Sequence, residues 1–202
     1  MGTPIDRSLI YGTDEWRAAR RFRIGGSDIA VILGISPYKT RLELWQEKSG
    51  LSYPEDISNL PHVKRGIDAE PLARRALEHE LQVKYSIAVR QHKKYPQFIA
   101  SLDGECPGHV IEIKTMGKKK HDDVKFGIIP NYYQAQCQWN MMIAGRKTCY
   151  FVSYRPEDAS LHKVKLNACA IEQRHMLASA LVFWRWVVRG IRPRQIELDL
   201  DL

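Results

Sequence analysis

The sequence predicts an α/β (α+β) single domain in which a central mixed β-sheet is flanked by helices. Three observations carry this prediction. The first eighty residues read as helices separated by glycine and proline punctuation. Between residues 82 and 115 the rhythm changes to short alternating runs of strand length. After residue 131 a helix, two strands and a long final helix follow. A chain of 202 residues suits one domain with its own core, and no fixed-period repeat, low-complexity tract or linker-like composition shift divides it.

The elements follow in order. Asp14-Glu15-Trp16 opens a short helix running through Arg17, Arg20, Arg21 and Arg23. Gly25-Gly26-Ser27-Asp28 precedes the apolar stretch Ile29–Leu33, which is helix-start chemistry, and Gly34 stops it. Ser36-Pro37-Tyr38 is a turn. Thr40 and Glu43 have capping-box spacing and begin a helix reaching about Lys48, with Gly50 as its stop. Residues 52–61 carry Pro54 and Pro61 and read as a loop. The pattern is helical from about His62 to Leu81, where Pro71 should kink or restart the helix. Gln82–Arg90, Phe98–Leu102 and Val110–Thr115 read as strands, with Gly104–His109 as the turn between the last two. Lys118–Asp123 is a polar loop or helix start. Asn131–Ala144 is a helix closed by Gly145. Thr148–Tyr154 and Leu161–Leu166 are strands, and Ala168–Arg189 is the final helix.

Composition narrows the class. Lys plus Arg is 31 against 23 Asp plus Glu, a formal charge of +8, with a sequence pI near 9.3. A basic excess points to an anionic partner, with nucleic acid first among them, although it is also an ordinary solubility setting. A content of 44% hydrophobic and 27% charged residues is that of a globular chain rather than a disordered one. No run approaches the ~18 apolar residues of a membrane span. The opening MGTPIDRSLIYG has no apolar signal core, so a cytoplasmic protein is expected. Cys106, Cys137, Cys149 and Cys169 form no CxxC pair. This argues against a zinc ribbon or a redox motif and for reduced, mostly buried thiols.

The sharpest chemical signal is Ser101-Leu102-Asp103-Gly104, followed after a turn by Glu112-Ile113-Lys114. Alternation along a strand puts Glu112 and Lys114 on one face and sends Ile111 and Ile113 into apolar packing behind. The turn folds Asp103 back beside Glu112. Two crowded carboxylates repel when ionised, and a hard divalent cation such as Mg²⁺ relieves that repulsion. Lys114 beside a bound water could orient it, stabilise negative charge or accept a proton. The combination suits phosphodiester hydrolysis. A surface Glu-x-Lys salt-bridge pair is the plainer alternative. Separately, Gly25-Gly26-Ser27 at a helix start can hold an anion, with Arg20 shortly upstream to supply a charged fork. An ordinary capped helix explains the same residues.

With these residues the sequence resembles the PD-(D/E)XK nuclease superfamily and, within it, the YqaJ-type viral recombinase and lambda exonuclease family. The resemblance runs from about residue 14 to residue 154. It is carried by Trp16, Arg20, Ile24–Ala30, Leu33–Thr40, Leu44-Trp45, Gly66–Pro71, Ala100–Gly104, Ile111–Lys114 and Tyr133–Gln138. Leu102 stands where the superfamily has proline, a position that supplies no ligand atom. The resemblance implies three parts: an N-terminal helical, phosphate-binding part over about 14–81, a nuclease core over about 82–167 and a C-terminal helix over about 168–190.

It also implies roles. Asp103, Glu112 and the backbone carbonyl of Ile113 bind the metal, and Glu70 adds a third carboxylate acting through water or a second metal. Lys114 acts on the nucleophilic water, and Gln136 orients that water or Lys114. Arg20, Ser27 and Ser101 hold the 5′-phosphate of a DNA end, with Lys39 a looser member of the set. Glu70 could instead be a solvent-exposed residue before a helix that Pro71 restarts, Gln136 an exposed helix residue, and Tyr133 either core or substrate contact. Lys118, Lys119, Lys120 and Lys125 could contact duplex backbone. The implied activity is a Mg²⁺-dependent exonuclease, with two ions per site and Mn²⁺ able to substitute. It would digest one strand of double-stranded DNA from its 5′ end and leave a 3′ overhang. A homotrimeric ring, a single-strand annealing recombinase as partner and a phage or prophage setting come with it. The rival readings are a restriction-type endonuclease of the same superfamily and a non-catalytic DNA-binding module.

Overall fold

The computed structural model describes residues 3–4, 13–55, 57 and 59–193. The opening stretch that was read for a leader lies largely outside them, as do Asp56 and Ser58 of the 52–61 loop. Six strands form one sheet in sequence order: β1 (Thr3–Pro4), β2 (Ser86–Gln91), β3 (Ile99–Glu105), β4 (Val110–Lys114), β5 (Thr148–Arg155) and β6 (Ser160–Asn167). All neighbours are antiparallel except β4 and β5, which run parallel. A parallel pair needs a long crossover, and α5 (Lys118–Lys125) and α6 (Asn131–Ala144) supply it. The remaining helices are α1 (Asp14–Arg21), α2 (Gly26–Ile32), α3 (Arg41–Lys48), α4 (Pro61–Leu81) and α7 (Ala170–Arg189). The mixed sheet flanked by helices is the predicted class.

Two apolar clusters sandwich the sheet. On one side α2, α6 and α7 bury Ile29, Trp139, Met141, Ala180 and Phe183 against Phe98, Leu102 and Phe151. On the other, Ala69, Ala73 and Leu77 of α4 pack against Ile111, Ile113 and Val152. Ile111 and Ile113 thus pack toward α4, as the alternation of β4 requires. The side chain between them, Glu112, meets α6 on the opposite face.

Several boundaries differ from expectation for local reasons. Pro71 lies inside one continuous helix, since α4 runs unbroken through it. Burial of Ala69, Ala73 and Leu77 along one stripe holds the helix across the missing N–H. The strand expected from Gln82 begins only at Ser86, because Gln82 is the left-handed cap of α4. β3 extends through Glu105, so the turn narrows to residues 106–109, closed by Cys106 N–H donating to the His109 carbonyl at 3.0 Å. Lys118–Lys125 is a full helix rather than a loop. The four cysteines are free thiols, three of them buried. No helix among the described residues is long and apolar enough to cross a membrane.

Candidate active site

The central constellation forms where β3 and β4 part. Their ladder ends at Gly104↔Ile111. One step beyond, Asp103 replaces the backbone partner with its carboxylate, and Oδ2 accepts the Ile113 N–H at 2.7 Å. Gly104 is required there, since a Cβ would fall 2.8 Å from Ile111 Cδ1 and 2.9 Å from Tyr85 Cβ. Glu112 is fully buried. Its Oε1 lies 2.5 Å from Lys114 Nζ as an ion pair, outside hydrogen-bond angles. Its Oε2 accepts from Asn140 Nδ2 at 2.7 Å. The Lys114 ammonium also lies 5.4 Å from the centre of the Tyr133 ring.

Glu70 joins from α4. Arg74, one turn on, ion-pairs with Glu70 and donates from Nε to the Asp103 carbonyl at 2.6 Å. That bridge ties α4 to β3 at the acidic end of the strand.

The electrostatics are those of a crowded acid cluster. Burial raises Glu112 to about 7, and Asp103 and Glu70 add repulsion that Lys114 only partly offsets. Burial and then Asp103 raise Glu70 to about 7. Burial also raises Asp103, against the pull of Lys114. Burial alone would lower Lys114, but Glu112 and Asp103 outweigh it and the amine is held well above its usual range as an ammonium. Three oxygen-bearing acids that resist ionisation beside each other are a donor set for a hard divalent cation.

A second potential ligand set is His121 and Asp122 of α5 with His162 of β6, the one group of three such atoms mutually within 4.8 Å among the described residues. Glu70, Asp103 and Glu112 are not drawn together that closely, and Glu70 is turned into its pair with Arg74. The histidine group fits a metal poorly. Both ring nitrogens of His121 are engaged, Nδ1 with Ser153 Oγ at 2.8 Å and Nε2 with Ser160 Oγ at 3.0 Å. The two imidazoles pack on each other, tilted by 32° with centroids 4.3 Å apart.

The predicted phosphate residues assemble a few residues up β3. Arg20 Nη2 donates to Ser27 Oγ at 3.0 Å, and its guanidinium lies 4.7 Å from the Trp16 ring centre. Trp16 Nε1 donates to Ser101 Oγ at 3.3 Å. Among the described residues no carboxylate pairs with Arg20. Asp28 fixes the Gly25-Gly26-Ser27 turn. It accepts the Gly25 N–H at 2.8 Å and pairs with Lys48 at 2.9 Å. Burial would raise Asp28, but Lys48, Arg20 and the Gly25 N–H lower it overall. Ser101 lies two residues before Asp103, about 7 Å along the strand.

Two nominated residues sit differently. Lys39 is bonded to Glu47 through both carboxylate oxygens, at 2.6 and 2.7 Å, and makes no contact with Arg20, Ser27 or Ser101. Gln136 is half-buried and its side chain makes no hydrogen bond among the described residues; its Cγ lies against Gly26. The residue that reaches Glu112 is Asn140, one turn further along α6. Asn140 and Arg74 were both missed. Each had a signal: Asn140 is a polar residue among Cys137, Trp139 and Met141, and Arg74 is four residues after Glu70, a helical ion-pair spacing.

Residues 15–147 match the family described as the YqaJ-like viral recombinase domain. The chain is 31% identical over 138 residues to the uncharacterized protein YqaJ of Bacillus subtilis, covering 65% of this chain and 42% of that protein. It is 46% identical over 39 residues to protein D345L of African swine fever virus, covering 19% of this chain and 11% of that protein. It therefore spans less than half the length of either curated relative. The fold matches the alkaline exonuclease LHK-Exo of Laribacter hongkongensis with a TM-score of 0.75 at 24% identity, covering 89% of this chain and 94% of that one. A phage-related exonuclease from Haemophilus somnus matches at 0.60 and 10% identity, covering 85% and 97%.

Proposed function

This chain belongs to the YqaJ-like viral recombinase family, and from that premise we propose that it is a Mg²⁺-dependent exonuclease acting on double-stranded DNA ends. It hydrolyses one strand from its 5′ end and leaves a 3′ single strand. The observation that carries the reading is the nearness, along one strand, of the Arg20, Ser27 and Ser101 group to Asp103. Ser101, bonded to Trp16 beneath Arg20, lies two residues from Asp103. An end phosphate held by Arg20, Ser27 and Ser101 therefore leaves the first linkages of its strand beside the acids.

Asp103, Glu112 and the Ile113 carbonyl would hold the divalent ion, with Glu70 contributing through water or to a second ion. When bound, the metal supplies Lewis-acid activation of the attacking water and stabilises the charge that builds on the phosphate oxygens. The protein's own groups do the rest. Asn140 and Lys114 hold the two oxygens of Glu112. The Ile113 N–H fixes Asp103, and Arg74 positions Glu70 against the Asp103 backbone. Lys114, an ammonium in this environment, donates hydrogen bonds to the water and to the negative charge that develops. Arg20 supplies charge-assisted donors to the end phosphate. The same reading carries processive digestion by a homotrimeric ring, a single-strand annealing recombinase as partner and a setting in bacterial cytoplasm. Mn²⁺ substitutes for Mg²⁺ in it.

The test is digestion of a duplex labelled separately at each end, with and without Mg²⁺, beside a closed circular duplex. The expected result is metal-dependent loss from the 5′ end and sparing of the circle. Rapid cutting of the circle would replace the exonuclease with a restriction-type endonuclease, and DNA binding without any hydrolysis would leave only a binding module.

A further inference from the structure

Beside Lys114 the structure carries a feature that the hydrolytic machinery does not use. The Tyr133 ring, next to the Lys114 ammonium, stacks on Phe151 with centroids 5.6 Å apart and is anchored to the sheet. Tyr132 packs against Tyr133 at 4.4 Å. Tyr38, from the Ser36-Pro37-Tyr38 turn, meets Tyr132 edge-on at 5.7 Å and 84°. Tyr38 is nevertheless 69% exposed. The three rings run outward from Lys114 to solvent, and the edge contact between Tyr38 and Tyr132 steadies the outer ring while leaving it mostly exposed.

Charge lines the same path. Lys120 donates to Tyr132 Oη at 3.4 Å, and no carboxylate pairs with it among the described residues. Lys118 and Lys119 on the same turn are exposed and paired only with Asp122 and Asp123 of their own helix. Such surface pairs are weak and yield readily to a phosphate. An apolar partner would gain nothing from these ammonium groups. A duplex would keep its bases stacked on each other and offer the rings no base face except at an opened end. A strand with unpaired bases satisfies both features, with bases on the rings and phosphates on the lysines.

We propose that Tyr38 and Tyr132 form a stacking shelf for unpaired bases of the DNA strand whose phosphate lies at Lys114. The inference rests on the nuclease reading above, and it adds that the duplex end is held open beside the acids by base stacking. Stacking on aromatic side chains tolerates any sequence, which suits a digesting enzyme, and is worth about a 5- to 150-fold change in affinity per base.

The test uses fluorescence anisotropy in EDTA, so that nothing is cut. A short single-stranded oligonucleotide is compared with an abasic oligonucleotide of equal length and charge. The wild-type protein is expected to prefer the base-bearing strand by at least about 5-fold. Tyr38→Ala and Tyr132→Ala should lose most of that preference with abasic binding unchanged, and Tyr38→Phe should keep it. Equal binding of the two strands by the wild type, or full preference in both alanine variants, overturns the shelf. Mg²⁺-dependent digestion by the same wild-type preparation is measured in parallel. Digestion without base preference removes the shelf alone, whereas absence of digestion removes the nuclease reading.

Discussion

Gly26→Ala isolates the contact that joins the Gly25-Gly26-Ser27 turn to the acid-bearing end of the sheet. Gly26 is the first residue of α2, and a Cβ there would sit 2.7 Å from Asn140 Oδ1 and 3.1 Å from Gln136 Cγ. To reach the 3.4 Å of ordinary contact, Asn140 must retreat by about 0.7 Å. It cannot do so and still donate to Glu112 Oε2 at 2.7 Å. A hydrogen bond to a charged group is worth about 1.5–3 kcal/mol. Alanine returns at most about 1 kcal/mol of helix propensity, and less at a helix start. The net expectation is a loss of about 1–2 kcal/mol. Gly66→Ala is the control, because it lies inside α4 with nothing within 4 Å of the new methyl. It should gain up to about 1 kcal/mol. In thermal melts the two variants should therefore separate by several degrees, at about 2–4 °C per kcal/mol for a chain of this size. Asn140→Ala in the Gly26→Ala background should relieve the clash, making the double mutant more stable than additivity allows. If Gly26→Ala melts with or above Gly66→Ala, the reasoning fails.

Four further outcomes follow from the same geometry. Lys114→Ala should abolish digestion, by at least about 100-fold for loss of a group that stabilises the transition state, while DNA binding in EDTA persists; full activity would remove Lys114 from the mechanism. Asn140→Leu should weaken Mn²⁺ binding measured by calorimetry about 10- to 100-fold, the usual cost of losing a group that orients a ligand, and Mn²⁺ binding equal to wild type would make Asn140 a packing residue only. Divalent cation binding should tighten as pH rises from 6 to 8. Glu70 and Glu112 are raised to about 7 and hold protons below it that an ion must displace, whereas above it they are already ionised. Equal affinity at the two pH values would refute those shifts. Arg20→Ala should reduce digestion of a 5′-phosphorylated duplex toward that of a 5′-hydroxyl duplex, and an unchanged ratio between the two substrates would remove Arg20 from the end pocket.

What was legible in the sequence was whatever depended on residues near each other along the chain. The alternation of Ile111, Glu112, Ile113 and Lys114 gave the two faces of β4, and the structure keeps them, with the isoleucines against α4 and Glu112 toward α6. Asn131–Ala144 and its Gly145 stop were read to the residue, because Gly145 takes the left-handed cap that glycine favours. Errors arose where a local signal was overruled by packing. Pro71 should kink or restart the helix; it does not restart it, since Ala69, Ala73 and Leu77 are buried on the sheet and carry α4 through it.

For the site, residue types and spacing determined that Asp103, Glu112 and Lys114 meet, since a short turn joins their strands. The resemblance supplied Glu70, Arg20, Ser27 and Ser101. Only the tertiary structure decided which groups hold them. Asn140, which the sequence did not single out, reaches Glu112 from α6, and the same helix packs so close to Gly26 that no methyl fits there. Arg74 rather than open solvent meets Glu70, and Lys39 pairs with Glu47 instead of joining Arg20, Ser27 and Ser101. These choices depend on distances between elements far apart in sequence, set by how side chains fill the space between helix and sheet. Sequence spacing can therefore name the acids and the lysine, but not the partners that set their charge.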